Sequence, residues 1–474
     1  MQDLVSASLI ELTEALRARS VSALELMEHV LARADATHAD LNALVAQRER
    51  GVLLAEARAA DARIARGEAR PLEGIPFGVK DLEDVAGMVT THGSLAFREA
   101  VATGDSVHVA RLRAAGGIPV GKTNTPEFGY TAITKNRVFG PSRNPWNLRC
   151  TPGGSSGGSA ALVAACVLPI ATASDGGGSI RIPASFVGAF GLKPSFGRVP
   201  DAPRQRWTFG DRTCLGPLTR TVEDAALFMD QVVGPSPADP NSLPHPGLRY
   251  LDAVREGLPR GLRIGFSPAL GSAVVQSDIA EVVREAAGVF EKLGHSLEEV
   301  AGGPPSLGGG WGRWGNFELA ALLHGLLAER PEQFGHTFRR GLESAWEMTP
   351  ELFAELAHER EALNRWCAEL FERCDLLITP TVPFDPPPAG GPFPAETEGR
   401  AQRAFGVAAF TIPFNLSWHP AATVRAGMSR AGLPVGLQIV GPRHRDDRVL
   451  QASRAFERER PWHPHWPVRW SPLA

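Results

Sequence analysis

Two glycine–serine runs carry the residue types best suited to chemistry in this chain. The first is Gly153-Gly154-Ser155-Ser156-Gly157-Gly158-Ser159, and the second is Ser174-Asp175-Gly176-Gly177-Gly178-Ser179-Ile180-Arg181-Ile182-Pro183. Glycines on both sides of a serine let backbone approach a reacting group closely and admit conformations closed to other residues. A single such run is equally a flexible turn. Here, however, a small, apolar stretch from Ala160 to Ala173, with Pro169 near its end, separates the two. That stretch predicts a buried helix over about 157–167 and a buried strand over about 168–173, a unit that would bring the two runs together. A lysine, Lys80, ends the apolar run Ile75–Val79 inside Gly74-Ile75-Pro76-Phe77-Gly78-Val79-Lys80-Asp81. Lysine at the end of a buried strand is costly unless paired or neutral, whereas a surface pairing with Asp81 or Glu83 would be unremarkable.

Two other patterns fail on context. Gly116 to Thr123 fits the phosphate-loop spacing, but such a loop must follow a strand and open a helix. A helix is expected before it, from His108 to Ala115, and Pro119 and Pro126 interrupt it. An ATP-binding protein is therefore a remote alternative. Gly154-Ser155-Ser156-Gly157-Gly158 fits the nucleophile elbow of α/β-hydrolases, which needs a strand directly before it, and Pro145 to Pro152 is not strand-like.

The elements that would position these residues read as α/β. Ser8 with Glu11, and Ser22 with Glu25, are capping boxes before apolar helical spacing, and a third helix is expected from about Val52 to Arg66. Later segments alternate strand and helix: Ile118–Val120, a helix from Val222, Leu262–Phe266, Ile279–Leu293, Ser296–Val300, Glu355–Phe371 and Asp375–Thr379. Phe410–Leu416, Ala422–Val424 and Val435–Val440 are expected to complete the sheet, before a closing helix from about Arg445 to Phe456. Pro235 to Pro246 is linker-like. The chain of 474 residues divides on this reading into an N-terminal helical wrap (1–70), a core (71–230), an α/β excursion (231–301), a helical pocket cover (302–370) and a C-terminal return to the core sheet (371–474).

Charged residues are 21% of the chain and the formal net charge is −3, so no basic field exists to hold nucleic acid or an anionic membrane. The start Met1-Gln2-Asp3 lacks a signal-peptide pattern, and Ala160–Ala173 is too short to span a bilayer. Five scattered cysteines, without metal spacing, fit a reducing cytoplasm. Cys166 is expected in the core and Cys374 at a helix end.

Taken together, Gly74 to Asp81, Gly121-Lys122-Thr123-Asn124, Gly153 to Ser159, Asp175 to Ala184, Gly191-Leu192-Lys193-Pro194, Gly216-Pro217-Leu218-Thr219-Arg220 and Leu433 to Gln438 resemble the amidase signature hydrolases over nearly the whole chain. The resemblance implies one large α/β domain, a central mixed sheet covered on both faces by helices. It also implies a Ser-cisSer-Lys triad, with Ser179 as nucleophile, Ser155 as bridging serine after a cis Gly154–Ser155 bond, and Lys80 as base. Chemistry agrees, because a serine hydroxyl needs a neighbouring base, and lysine is one only when burial keeps it neutral. Ser156 would hydrogen-bond near Lys80. The N–H groups of Gly176, Gly177, Gly178 and Ser179 would converge on an oxyanion, and Asp175 would pair with Arg181 to brace the loop. Trp418, His419 and Arg425 depart from the family pattern and are expected to reshape the pocket rim.

The implied activity is hydrolysis of C–N bonds in small-molecule amides such as anilides, and in carbamates (urethanes), with water as second substrate. Neither a metal nor an organic cofactor is implied, and a monomer or homodimer is expected. The apolar 302–360 segment and the Trp207/Phe209 loop suggest a wide pocket, with 200–213 as a candidate lid. The alternative is the glutaminase subunit of a tRNA-dependent amidotransferase, which would need charged groups in the pocket for glutamine's ammonium and carboxylate.

Overall fold

Both N-terminal capping boxes form. The Ser8 hydroxyl accepts from Glu11 N at 3.2 Å and the Ser22 hydroxyl from Glu25 N at 3.0 Å, opening helices Leu9–Arg17 and Ala23–Leu41. The third helix, Arg50–Ala65, starts earlier than expected because the Glu49 carboxylate accepts from Gly51 and Val52 N. This computed structural model describes residues 4, 6–202, 210–305, 307, 309–462 and 465–467. Trp207, Phe209 and half of the candidate lid lie outside them.

The helices flank a mixed sheet of eleven strands. Its spatial order is Leu44–Gln47, Ile118–Thr123, Pro76–Lys80, Ile170–Asp175, Cys214–Thr219, Phe190–Lys193, Ala421–Met428, Pro434–Val440, Leu376–Pro380, Arg263–Phe266 and Ser296–Glu299. Pro76–Lys80 lies parallel to both neighbours, and Ile170–Asp175 is antiparallel to Cys214–Thr219. Its central strands are buried along their whole length, as expected of near-continuous apolar runs covered on both faces. Strands Arg263–Phe266 and Ser296–Glu299, read as an excursion, run parallel and extend one edge of this sheet.

One expectation needs correction, and one pattern set aside on context is indeed absent. Phe410–Leu416 is not a strand: Ile412–Leu416 is a short helix with Pro413 in its first turn, where a missing N–H costs nothing. Gly116–Thr123 is not a phosphate loop, since Ile118–Thr123 is a buried strand and Lys122 points into the core, donating to the Glu83 carbonyl and to Thr90 Oγ1 at 2.9 Å.

The glycine–serine unit forms as helix Gly157–Ala164 and strand Ile170–Asp175, the strand lying two residues later than expected. Beyond the sheet, helices Gly310–Glu329, His336–Glu343 and Pro350–Arg373 make the cover. Leu319, Leu323, Phe334 and Phe338 close a separate apolar cluster on Phe128. Cys166 is a core residue, Cys374 follows the last turn of Pro350–Arg373, and Cys150, Cys214, Cys367 and Cys374 are free thiols. Among the described residues no helix is long and apolar enough to cross a membrane.

Candidate active site

Strand Pro76–Lys80 ends with its lysine inside the molecule, fully buried rather than at a surface edge. Lys80 Nζ donates to Ser155 Oγ at 2.7 Å and to Ser174 Oγ at 2.9 Å, and it lies 3.3 Å from the Ser174 carbonyl. Burial, opposed in part by the charges of Glu83 and Asp175, pulls its ammonium down from 10.5 to about 7. A substantial neutral fraction at physiological pH follows. Ser155 follows a cis peptide bond from Gly154, and Ser156 Oγ shares the Ser174 carbonyl at 3.3 Å.

Ser179 begins the turn into helix Arg181–Val187 and lines the same cavity as Ser155 and Ser174. Its carbonyl accepts from Ser156 N at 3.2 Å, which ties the two glycine–serine runs to each other. Among the described residues no hydrogen bond reaches Ser179 Oγ.

The brace between Asp175 and Arg181 is a buried bidentate pair, with Nε to Oδ2 at 3.0 Å and Nη2 to Oδ1 at 2.9 Å. Burial pushes the Asp175 carboxyl up, but Arg181, Lys193 and the Asn415 amide outweigh it and hold the group well below the usual carboxylate range. The same carboxylate accepts from Gly178 N at 2.7 Å and from Ile180 N at 3.1 Å. Gly178 is thereby withdrawn from the expected oxyanion donors, because its N–H is already committed to Asp175. Its role is conformational: φ is +127°, and a Cβ there would collide with the Thr411 hydroxyl. Gly176, Gly177 and Ser179 keep N–H groups that no hydrogen bond engages among the described residues.

Several residues of this site carried no role in the sequence reading. Asn415 donates to the Asp175 carbonyl at 2.7 Å, Gln438 accepts from Arg181 at 2.7 Å, and Thr411 Oγ1 donates to the Gly177 carbonyl at 2.7 Å. Trp311, from the cover, donates Nε1 to the Gly176 carbonyl at 2.8 Å. Asn415 and Gln438 had a signal, since each is a polar residue within an apolar run.

The cavity holds about 290 Å³ and is walled by Phe128, Tyr130, Trp311, Phe384, Phe393 and Phe405. Among the described lining residues Arg403 is charged and none is a carboxylate. Trp418, His419 and Arg425 do not line it. Trp418 stacks on Phe196 beneath Arg360, His419 stacks on Phe371, and Arg425 lies between Trp146 and Trp466, so each fills space away from the cavity. No cluster of His, Cys, Asp or Glu among the described residues has the arrangement of a metal site.

One mixed sheet thus holds a buried lysine on a serine, a second serine in the same cavity and a paired glycine loop. The chain belongs to the amidase family, whose sequence model matches residues 25–311 and 325–450, and it is an amide-hydrolysing enzyme. It is 35% identical to an acylamidase of Rhodococcus erythropolis over 97% of each chain. It is 33% identical to a glutamyl-tRNA(Gln) amidotransferase subunit of Geobacter sp. (strain M21), over 96% of this chain and 97% of that one. The crystal structure of a bacterial aryl acylamidase of the amidase signature family superimposes with a TM-score of 0.91 at 33% identity, covering 96% of this chain and 97% of that one.

Proposed function

We propose that the protein is a stand-alone hydrolase of aryl and alkyl amides, anilides foremost, that also accepts carbamates. Ser179 is the nucleophile, Ser155 the proton bridge and Lys80 the base. The observation that carries this is Lys80 Nζ at 2.7 Å from Ser155 Oγ on the wall of an aromatic cavity that also holds Ser179. Ser179 Oγ attacks the carbonyl carbon as its proton passes through Ser155 to neutral Lys80. The oxyanion is met by the N–H groups of Gly176, Gly177 and Ser179. Lys80 returns the proton through Ser155 to the departing nitrogen, the C–N bond breaks, and an acyl-enzyme remains. Water repeats the sequence and releases the acid. A carbamate presents the same carbonyl, and its product acid would lose carbon dioxide. Hydrogen bonds of this kind commonly close only around bound substrate, so an unbonded Ser179 Oγ agrees with the scheme. The free thiols of Cys150, Cys214, Cys367 and Cys374 suit a reducing, cytoplasmic setting.

The glutaminase reading draws on the likeness to glutamyl-tRNA(Gln) amidotransferase subunits. Against it stands the cavity lining, which offers Arg403 for a carboxylate but no carboxylate for glutamine's ammonium among the described residues. An ammonium buried without a partner is strongly disfavoured. The test is amine release by the purified chain from a p-nitroanilide and a matched p-nitrophenyl carbamate, with Ser179→Ala as control. Turnover by the parent, lost by the order of 10⁶-fold in the variant, supports the scheme. Full activity in Ser179→Ala sinks it, and glutaminase activity that appears only with a partner protein would install the second reading.

A further inference from the structure

Three consecutive carbonyls before Ser179 are each taken by a side chain from far along the chain. The Asp175 carbonyl accepts from Asn415 Nδ2, the Gly176 carbonyl from Trp311 Nε1 at 2.8 Å and the Gly177 carbonyl from Thr411 Oγ1. Asn415 and Thr411 belong to the core, on and just before helix Ile412–Leu416. Trp311 stands instead in the first turn of the cover helix Gly310–Glu329. Its indole lines the aromatic cavity beside Gly176 and Gly177 and meets Phe405 edge-on, with 5.5 Å between ring centres. It also lies so close to Gly177 that a side chain there has no room.

In a trans peptide the carbonyl and the N–H that follows it point in opposite directions. Holding the Gly176 carbonyl therefore aims the Gly177 N–H. The next unit along is held at both ends, by Thr411 at its carbonyl and by Asp175 Oδ1 at the Gly178 N–H. The Gly176–Gly177 unit is held at its carbonyl alone, between two residues of the widest backbone freedom. Released, it can turn and offer the cavity a carbonyl in place of a donor. We propose, on the reading of Ser179 as nucleophile and of this loop as its oxyanion site, that Trp311 is the positioning residue of that unit. Its indole N–H fixes the direction of the Gly177 N–H, and the oxyanion site thereby depends on the cover being in place.

The N–H can be removed while the ring stays. Trp311→Phe does so with an aromatic side chain kept on the cavity wall. Benzothienylalanine at position 311 does so within an unchanged outline, sulfur replacing the N–H. In both, kcat for an activated anilide should fall about 10–100-fold, part of the cost of losing a donor outright. KM should change little, as for an interaction felt only in the transition state. A trifluoromethyl ketone shaped like the acyl half of the anilide reports on the oxyanion directly. Ser179 Oγ adds to its carbonyl carbon, the hydroxyl proton passes through Ser155 to Lys80, and the carbonyl oxygen becomes an alkoxide facing the loop. Its Ki should rise in both variants by about the factor that kcat loses. The Ki of the matching secondary alcohol, which forms no oxyanion, should stay where it is. Unchanged ketone inhibition in the benzothienyl protein overturns the proposal, even where Trp311→Phe folds poorly. Equal weakening of ketone and alcohol overturns it too, because Trp311 would then be cavity packing. Ser179→Ala keeps the two readings apart. Ketone inhibition as tight in that variant as in the parent would remove the nucleophile assignment itself. A ketone that needs Ser179 but not the indole N–H would remove the role of Trp311 alone.

Discussion

Lys80 can accept a proton only while it is neutral, and its surroundings decide when that is. With burial lowering its ammonium to about 7, the charged form dominates below that pH and the base form above it. Activity should therefore rise through about pH 7 and level off, and a kcat/KM profile with a single acidic limb there is the check. A limb near 10, the ordinary lysine range, would mean that the lysine is not held as described. A second prediction concerns Gly177, where a Cβ would stand 2.5 Å from the Trp311 ring. Gly177→Ala should push Trp311 off the Gly176 carbonyl and disturb the neighbouring N–H donors. Loss of one such donor is worth about 10²–10³ in kcat, and steady-state kinetics should show a loss up to that size. Pairing it with Trp311→Ala, which removes the obstacle, should recover part of it. At this scale the meeting of the two glycine-flanked serine runs was legible, whereas Lys80 joined them only through the family resemblance, because its local spacing fits a surface pairing with Asp81 or Glu83 as well. Trp311 was not legible. Its contact with Gly176 spans 135 positions, and nothing local to either residue announces it.

The elements that hold the substrate space are bound to the core by charge as well as by apolar packing. Arg212 is fully buried and bridges Asp211 and Glu318, the latter on helix Gly310–Glu329, while Arg360 of Pro350–Arg373 reaches Asp211 at 2.6 Å. Trp314, also on Gly310–Glu329, lies under the Arg212 guanidinium. Glu318→Gln should leave Arg212 undercompensated and loosen the cover. Its expected cost is about 1–3 kcal/mol, read as a lowered Tm, with a few-fold rise in KM for bulky anilides and little change in kcat. An unchanged KM would place this bridge outside substrate binding. Elements were legible where capping chemistry marked them, as at Ser8 and Ser22, and blurred where periodicity alone had to decide. Phe410–Leu416 reads as a strand because a short apolar run has no period that separates strand from helix. Leu44–Gln47, an edge strand of four residues, is too short to register.

Over the whole molecule, the strand order joins segments far apart in sequence, and that arrangement was not legible. Local signals predict strands, but pairing Phe190–Lys193 with Ala421–Met428 depends on contacts more than 200 residues apart. The site depends on that pairing through one side chain. Arg181 leaves the turn after Ser179 to meet Asp175 beside it, Asn415 on Ile412–Leu416 at 2.6 Å and Gln438 on Pro434–Val440 at 2.7 Å. It thus locks the glycine loop to the C-terminal strands. Arg181→Met would keep much of the volume but leave Asp175 charged, buried and unpaired. Breaking a buried pair from one side costs about 3–5 kcal/mol, so chemical denaturation should show a midpoint lowered accordingly and activity nearly abolished. Adding Asp175→Asn to Arg181→Met removes the orphaned charge. That double variant should regain a good part of the stability but not the activity, because Gly178 and Ile180 would lose the carboxylate that sets the turn before Ser179. Recovery of both together would show that the pair serves folding alone, whereas recovery of stability without activity would make the Asp175 carboxylate part of what shapes the oxyanion loop.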